Sequence, residues 1–236
     1  MTELHYEGSE LDLFSEAKRW KAYWGSVVDP FVGTRVLDVG AGIGATAQNL
    51  QRASYDRWLE LEPDRNLADR IRDSVERNEL PGYIETMTGT AKDLQADERF
   101  DTILYIDVLE HIYEDRMELA NVVRHLEPGG RIIILAPAHN WLYTPFDRQI
   151  GHHRRYDKKA LVALRPAGTS VVLTRYLDSV GMLASLANRI LLKSKMPTKA
   201  QIGVWDNFMV PASRMMDPAF LWRIGKSIVC VYQRRV

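Results

Sequence analysis

Apolar side chains recur at three- and four-residue steps over residues 11–29, where Leu11, Phe14, Ala17, Trp20 and Trp24 fall on one helical face. A leading helix is predicted there, closed by Pro30, which cannot continue a helical hydrogen-bond ladder. From residue 35 the pattern changes to short, nearly unbroken apolar runs. Arg35–Val39, Trp58–Leu61, Tyr83–Met87, Asp101–Ile106 and Arg131–Leu135 read as strands, the last two buried on both faces. Helical spacing returns between them. Residues 45–52 form one such run. Glu62-Pro63 opens the next, with Pro63 at its first helical position and Leu67, Ile71 and Val75 along one side. A third carries Met117, Ala120, Val123 and Leu126, and Pro128-Gly129-Gly130 turns the chain into the following strand. Strand and helix alternating at intervals of roughly 20–30 residues predict a doubly wound α/β fold on a parallel sheet.

Past Pro137 the rhythm fades. Residues 138–158 are aromatic, basic and aperiodic, and so long a connection points to a functional loop. Residues 158–164 are predicted as helix, 170–176 as strand, 179–192 as helix and 227–232 as a closing strand, while 197–218 read as irregular. The chain is thus expected to be a single domain, 1–236. Its parts are a helical cap (1–33), a binding core (34–137), a substrate-loop insertion (138–158) and a C-terminal part with a helical lid (159–236).

Composition adds three points. With 46% hydrophobic and 26% charged residues the chain can bury a continuous core, which excludes general disorder. Cys230 is the only cysteine, so no intramolecular disulfide can staple the fold. Residues 1–20 lack the basic start and apolar run of a signal peptide, and the apolar stretch 180–192 is short and interrupted by Asn188 and Arg189. A cytoplasmic protein without a transmembrane segment is expected. Lys plus Arg and Asp plus Glu are equal at 31 each, yet residues 1–130 hold 26 acids and 14 bases, and residues 131–236 hold 5 acids and 17 bases. Such a split hints at an anionic partner.

The sharpest motif is Val36-Leu37-Asp38-Val39-Gly40-Ala41-Gly42-Ile43-Gly44, a glycine loop at the carboxyl end of the first strand. Glycines there let the backbone approach a ligand, and the next helix offers its amino end. Gly40, Gly42 and Ala45 also satisfy the dinucleotide pattern, so a nicotinamide-dependent oxidoreductase is one alternative and a non-catalytic cofactor-binding scaffold another. Glu62, ending the second strand, suits a ribose in either case. Asp38 discriminates: it would repel pyrophosphate but suit a ligand bearing a cationic amino group.

The motifs in order resemble a class I S-adenosylmethionine-dependent methyltransferase. VLDVGAGIG is similar to its first motif, LELEPD to its acidic ribose loop and GTAKDL to its adenine loop. FDTILYIDVLEHI and LEPGGRIIILAPA resemble its fourth- and fifth-strand regions. The resemblance implies a Rossmann-like seven-stranded sheet, mostly parallel with an antiparallel C-terminal strand and helices on both faces. It implies S-adenosyl-L-methionine as cofactor and S-adenosyl-L-homocysteine as product. Asp38 and the backbone at Gly40, Ala41, Gly42 and Gly44 would hold the methionine moiety, and Glu62 with Pro63 the ribose. Thr90 and Ala91 would face the adenine, and Ile106 with Asp107 would lie under the reactive end. Thr90 departs from the pattern, since many relatives carry an acid there. Tyr23 and Trp24 are candidates either to cover the cofactor or to pack the core.

Methyl transfer needs alignment of nucleophile, methyl and sulfur, and sometimes a base. Asp107, Glu110 and His111 follow the fourth strand, with His111 the leading candidate base and bracing of the loop its rival role. Gly151-His152-x-Arg154-Arg155-Tyr156 resembles the GH-x-RRY insertion of a bacterial subgroup tied to polysaccharide, glycolipid or secondary-metabolite pathways. Tyr143, Asp147, His152, His153, Arg155 and Tyr156 are candidate substrate contacts. Each of Arg154 and Arg155 either grips an anion or pairs with Asp147 or Asp157 to pin the loop. Glu110, His111, His139, His152 and His153 match no zinc spacing, so no metal is expected. The acidic first half argues against nucleic acid. A small-molecule, glycan or glycolipid acceptor on oxygen or nitrogen is expected, with peripheral contact of Lys193, Lys195 and Lys199 with anionic lipid left open. The sequence does not specify the oligomeric state.

Overall fold

The computed structural model describes residues 9–52, 55–187 and 198–236. β1 (Arg35–Val39), β2 (Arg57–Glu62), β3 (Ile84–Thr88), β4 (Phe100–Ile106), β5 (Leu126–Pro137), β6 (Thr169–Leu177) and β7 (Ser227–Arg234) form one sheet. Its order is β3-β2-β1-β4-β5-β7-β6. β7 lies antiparallel between β5 and β6, and the β1–β2, β1–β4, β2–β3 and β4–β5 pairs are parallel. The fold is the Rossmann-like sheet expected from the sequence. Alternate strand residues feed two cores: Val36, Trp58, Leu104, Ile133 and Val231 face one side, and Leu37, Leu59, Ile103, Ile134 and Cys230 the other. Strand order reverses between β1 and β4, and ligand crevices in such sheets open at the carboxyl ends beside that point.

Several elements differ from expectation. The leading helix is two helices, α1 (Ser9–Ser15) and α2 (Lys18–Val28), broken at Ala17. The amides of Arg19 and Trp20, unpaired in a helical first turn, donate to the Asp206 carboxylate at 3.1 and 2.8 Å. α3 (Ala45–Asn49) stops three residues early. Pro63 is not the first residue of α4 (Arg65–Glu76); Asp64 is its cap, accepting from the amides of Asn66 and Leu67. α5 (Asp115–Val122) buries Leu119 and Val122, whereas Met117 is exposed. Leu126 belongs to β5, which runs through Pro128-Gly129-Gly130 with a register shift opposite Phe100–Thr102.

The insertion is partly ordered: Ala138 bridges to Tyr156, and α6 (Pro145–Gln149) is capped by Thr144. α7 (Lys158–Leu164) leads to β6, and α8 (Ser179–Ala187) follows it. The end of the predicted 179–192 helix, with Lys193 and Lys195, lies outside the described residues. The stretch read as irregular is helical: α9 (Lys199–Val204), a π turn over Trp205–Met209, and α10 (Val210–Ala219). Its prolines permit this, because Pro211 sits in the first turn of α10 and Pro218 in the last. Among the described residues no helix is long and apolar enough to cross a membrane.

Candidate active site

Gly40, Gly42 and Gly44 hold φ angles of 69°, 62° and 77°, a region in which a side chain is strained. A Cβ on Gly40 would also meet Val108 at 2.8 Å. The loop is tied to β2: the amides of Gly40 and Ala41 donate to the Leu61 carbonyl. Glu62 accepts from the Gly42 amide at 2.8 Å and, through its other oxygen, from the Asp64 amide at 2.9 Å. Burial raises the Glu62 pKa, opposed by those two amides. Beneath the loop, Asp38 and Glu60 stand opposite one another on β1 and β2 and are buried. Burial lifts Asp38 to about 7. Burial and the Asp38 charge push Glu60 well above the carboxylate range.

A cavity of about 770 Å³ opens at the carboxyl ends of β1, β4 and β5. One wall is the glycine loop from Gly40 to Ile43 with Ala45 and Thr46, and the floor is Ile106, Asp107, Glu110 and His111. The far wall is the insertion, through Phe146, Asp147, His152 and Arg155, and apolar rings of Phe14, Trp20, Trp24 and Trp205 border the remainder. Asp107 takes φ 54° as its amide donates to the Leu135 carbonyl. Burial lifts Asp107 to about 6, against the lowering charges of His152 and Lys226. Burial drops His111 to about 3, assisted by His152 and His153. Glu110 is fully buried, and among the described residues neither of its carboxylate oxygens has a hydrogen-bond partner.

The insertion is organised by Asp147. Arg155 donates to both its oxygens at 2.8 and 2.9 Å, His152 Nδ1 lies 3.0 Å from Oδ1, and the Thr144 amide and hydroxyl each donate at 2.7 Å. Although burial opposes ionisation, His152, Arg155 and Thr144 hold the Asp147 carboxyl well below the usual carboxylate range. Both insertion arginines are pinning residues here, since Arg154 pairs with Asp115 at Oδ2 2.6 Å away.

Of the proposed substrate contacts, Asp147, His152 and Arg155 line the cavity. Tyr143, His153 and Tyr156 do not. Tyr143 donates to the His152 carbonyl at 2.6 Å, and Tyr156 is buried with its hydroxyl donating to Asp115 at 2.8 Å. His153 is exposed and meets the Tyr113 ring edge-on. Of the proposed cofactor contacts, Gly40, Ala41, Gly42, Ile106 and Asp107 line the cavity, and Gly44 shapes the loop. Asp38, Glu62, Pro63, Thr90 and Ala91 lie outside the lining. Thr90 is exposed and caps the turn that follows, its amide and hydroxyl donating to Asp93. Tyr23 donates to Asp217 at 2.7 Å and packs, whereas Trp24 reaches the cavity.

Residues missed from sequence include Leu11 and Lys226. Leu11 Cδ1 would lie 3.6 Å from a Cβ on Gly42, so α1 covers the glycine loop. Lys226 is half-buried against the Trp205 ring, 3.8 Å from its centroid, and pairs with Asp178 at 3.3 Å. The Gly225-Lys226 step before the closing strand was the available signal. The glycine cradle and an adjoining enclosed volume suit the methionine end of S-adenosylmethionine.

Comparison with known proteins points in the same direction. The family described as a methyltransferase domain matches residues 37–134. That stretch is similar to class I S-adenosylmethionine-dependent methyltransferase domains. The O-methyltransferase rstn1 of Aspergillus nomiae is 31% identical over 103 residues, 43% of this chain and 46% of that protein. The chain spans less than half the length of the curated relatives it matches, including 36% of a mitochondrial ubiquinone biosynthesis O-methyltransferase from Dictyostelium discoideum, 23% identical over 44% of this chain. A Haloferax volcanii methyltransferase, solved with the activator Trm112, superposes with a TM-score of 0.67 at 16% identity, covering 99% of this chain and 100% of that one. The matched stretch includes the glycine loop and runs from β1 into β5.

Proposed function

We propose that the protein transfers a methyl group from S-adenosylmethionine to an oxygen or nitrogen of a small-molecule or glycolipid-like acceptor with an apolar body. The carrying observation is one cavity that joins the glycine loop to the Asp107–His111 floor and the insertion. The bound cofactor supplies an activated methyl on sulfonium, displaced in line by the acceptor. Gly40, Ala41 and Gly42 would hold its amino-acid end, while Glu62 fixes the loop through the Gly42 amide. Leu11, Trp20 and Trp24 exclude water from above. Asp107 and His111 stand at the floor, where an acceptor proton can pass to either. Alignment of this kind lowers barriers by about 7–11 kcal/mol, a base adding roughly 10²–10⁴-fold.

The aromatic border of the cavity supports an acceptor with an apolar portion. Charge does not carry this reading, because Arg155 and Lys226 already face Asp147 and Asp178. The test is calorimetry with S-adenosylhomocysteine, followed by incubation with methyl-labelled cofactor and metabolite or lipid extracts. Saturable binding and label in an extractable small molecule are expected. Failure to bind at millimolar ligand overturns the reading, and binding without label transfer leaves the scaffold alternative in its place.

A further inference from the structure

Glu110, His111 and His152 each offer one ligand atom, and these atoms all lie within 4.8 Å of one another. We propose that they form a site for one divalent first-row transition ion, of the zinc class, opening onto the cavity.

The first argument is Glu110. A fully buried carboxylate with neither oxygen hydrogen-bonded among the described residues is a costly arrangement, and a cation relieves it. The second is His152. Its Nδ1 lies against the Asp147 carboxylate and its Nε2 faces Glu110, 3.8 Å from Oε1. A carboxylate behind an imidazole is the arrangement that orients metal-bound histidines. Arg155 and Thr144 lock that carboxylate in turn. The third is the His111 ring, edge-on to His152 with centroids 4.6 Å apart. Tetrahedral ligation at bonds of about 2.0–2.1 Å separates ligand atoms by about 3.4 Å, so a small side-chain adjustment closes the set.

Two imidazoles and one carboxylate suit zinc and its neighbours better than magnesium or calcium. Three protein ligands leave a position open, and all three residues line the cavity. An acceptor oxygen can occupy that position, its proton passing to Asp107 because His111 is then a ligand, a role that rests on the methyltransferase reading; binding of the ion does not. The sequence expectation of no metal came from spacing alone, and the ligands meet only because the insertion folds back over the turn after β4.

The test is a titration of chelator-treated full-length protein with Co²⁺, followed by visible absorption, with Zn²⁺ competition. One equivalent per chain is expected, with bands that Zn²⁺ abolishes. Glu110→Gln and His152→Ala should remove the bands, Asp147→Asn should weaken affinity about 10–100-fold, and His153→Ala should leave it unchanged. Glu110→Gln keeps the side-chain volume, and circular dichroism verifies its fold. No stoichiometric binding, or bands indifferent to Glu110→Gln, overturns the proposal in favour of a protonated, ion-free Glu110. Co²⁺ binding without S-adenosylhomocysteine binding would keep the metal site and remove only its acceptor role.

Discussion

Asp38 and Glu60 stand directly opposite one another on adjacent parallel strands, both buried, with Asp38 in the glycine-loop motif and Glu60 two residues before Glu62. Two carboxylates so placed resist double ionisation. Their raised pKa values mean that the folded state keeps protons the unfolded chain has lost above about pH 4. Stability therefore falls as pH rises from about 4 through about 7, the reverse of a salt-bridged acid. Glu60→Gln should flatten that decline and raise Tm at pH 8 by about 2–4 °C per kcal/mol recovered. Thermal melts from pH 5 to 8 measure it; parallel curves for both proteins would refute the account.

Glu62 binds the cofactor by an indirect route if it acts through the Gly42 amide. Glu62→Ala should weaken S-adenosylhomocysteine at least about tenfold, or ~1.4 kcal/mol, in calorimetry. An unchanged affinity would show that the loop holds its shape without this brace.

His111→Ala should bind S-adenosylhomocysteine within about twofold of the parent yet turn over at least about tenfold more slowly. Equal turnover would remove His111 from the acceptor end.

Arg155→Ala leaves the buried Asp147 without its bidentate partner, and a loss of about 2–4 kcal/mol is expected in urea unfolding. Tyr156→Phe, losing one buried hydrogen bond to Asp115, should cost about 1 kcal/mol. An Arg155→Ala protein of parental stability would reopen the view that this arginine serves the acceptor.

Asp206→Ala uncaps α2 and should cost about 0.5–2 kcal/mol. The same urea midpoint reads it, and no shift would mean that water caps the helix equally well.

The sheet was legible because its strands are short apolar runs and its glycine loop follows the first of them. The break at Ala17 was not, because the carboxylate that caps α2 arrives from Asp206, far along the chain. Pro197–Pro218 read as irregular since proline was counted without its position in the turn, and Leu126 read as helical because it continues the spacing of Val123. At the site, residue types were legible but partners were not. Arg155 and Tyr156 were chosen as chemically able side chains, and the fold commits them to Asp147 and Asp115. Glu110, His111 and His152 share no recognisable spacing, since only the folded insertion brings them together.

The strand order sorts the chain in space as well as in sequence. Strands β3, β2, β1 and β4 come from the part with 26 acids and 14 bases, while β7 and β6, beyond β5, come from the part with 5 acids and 17 bases. Of those five acids, Asp147, Asp178, Asp206 and Asp217 are buried against internal partners. A chain of zero net charge thereby draws the strands of its β3 edge from an acidic part and those of its β6 edge from a basic part. Such a molecule is turned by the field of a charged surface without being pulled by it over long distances, and added salt erases the torque within about a Debye length.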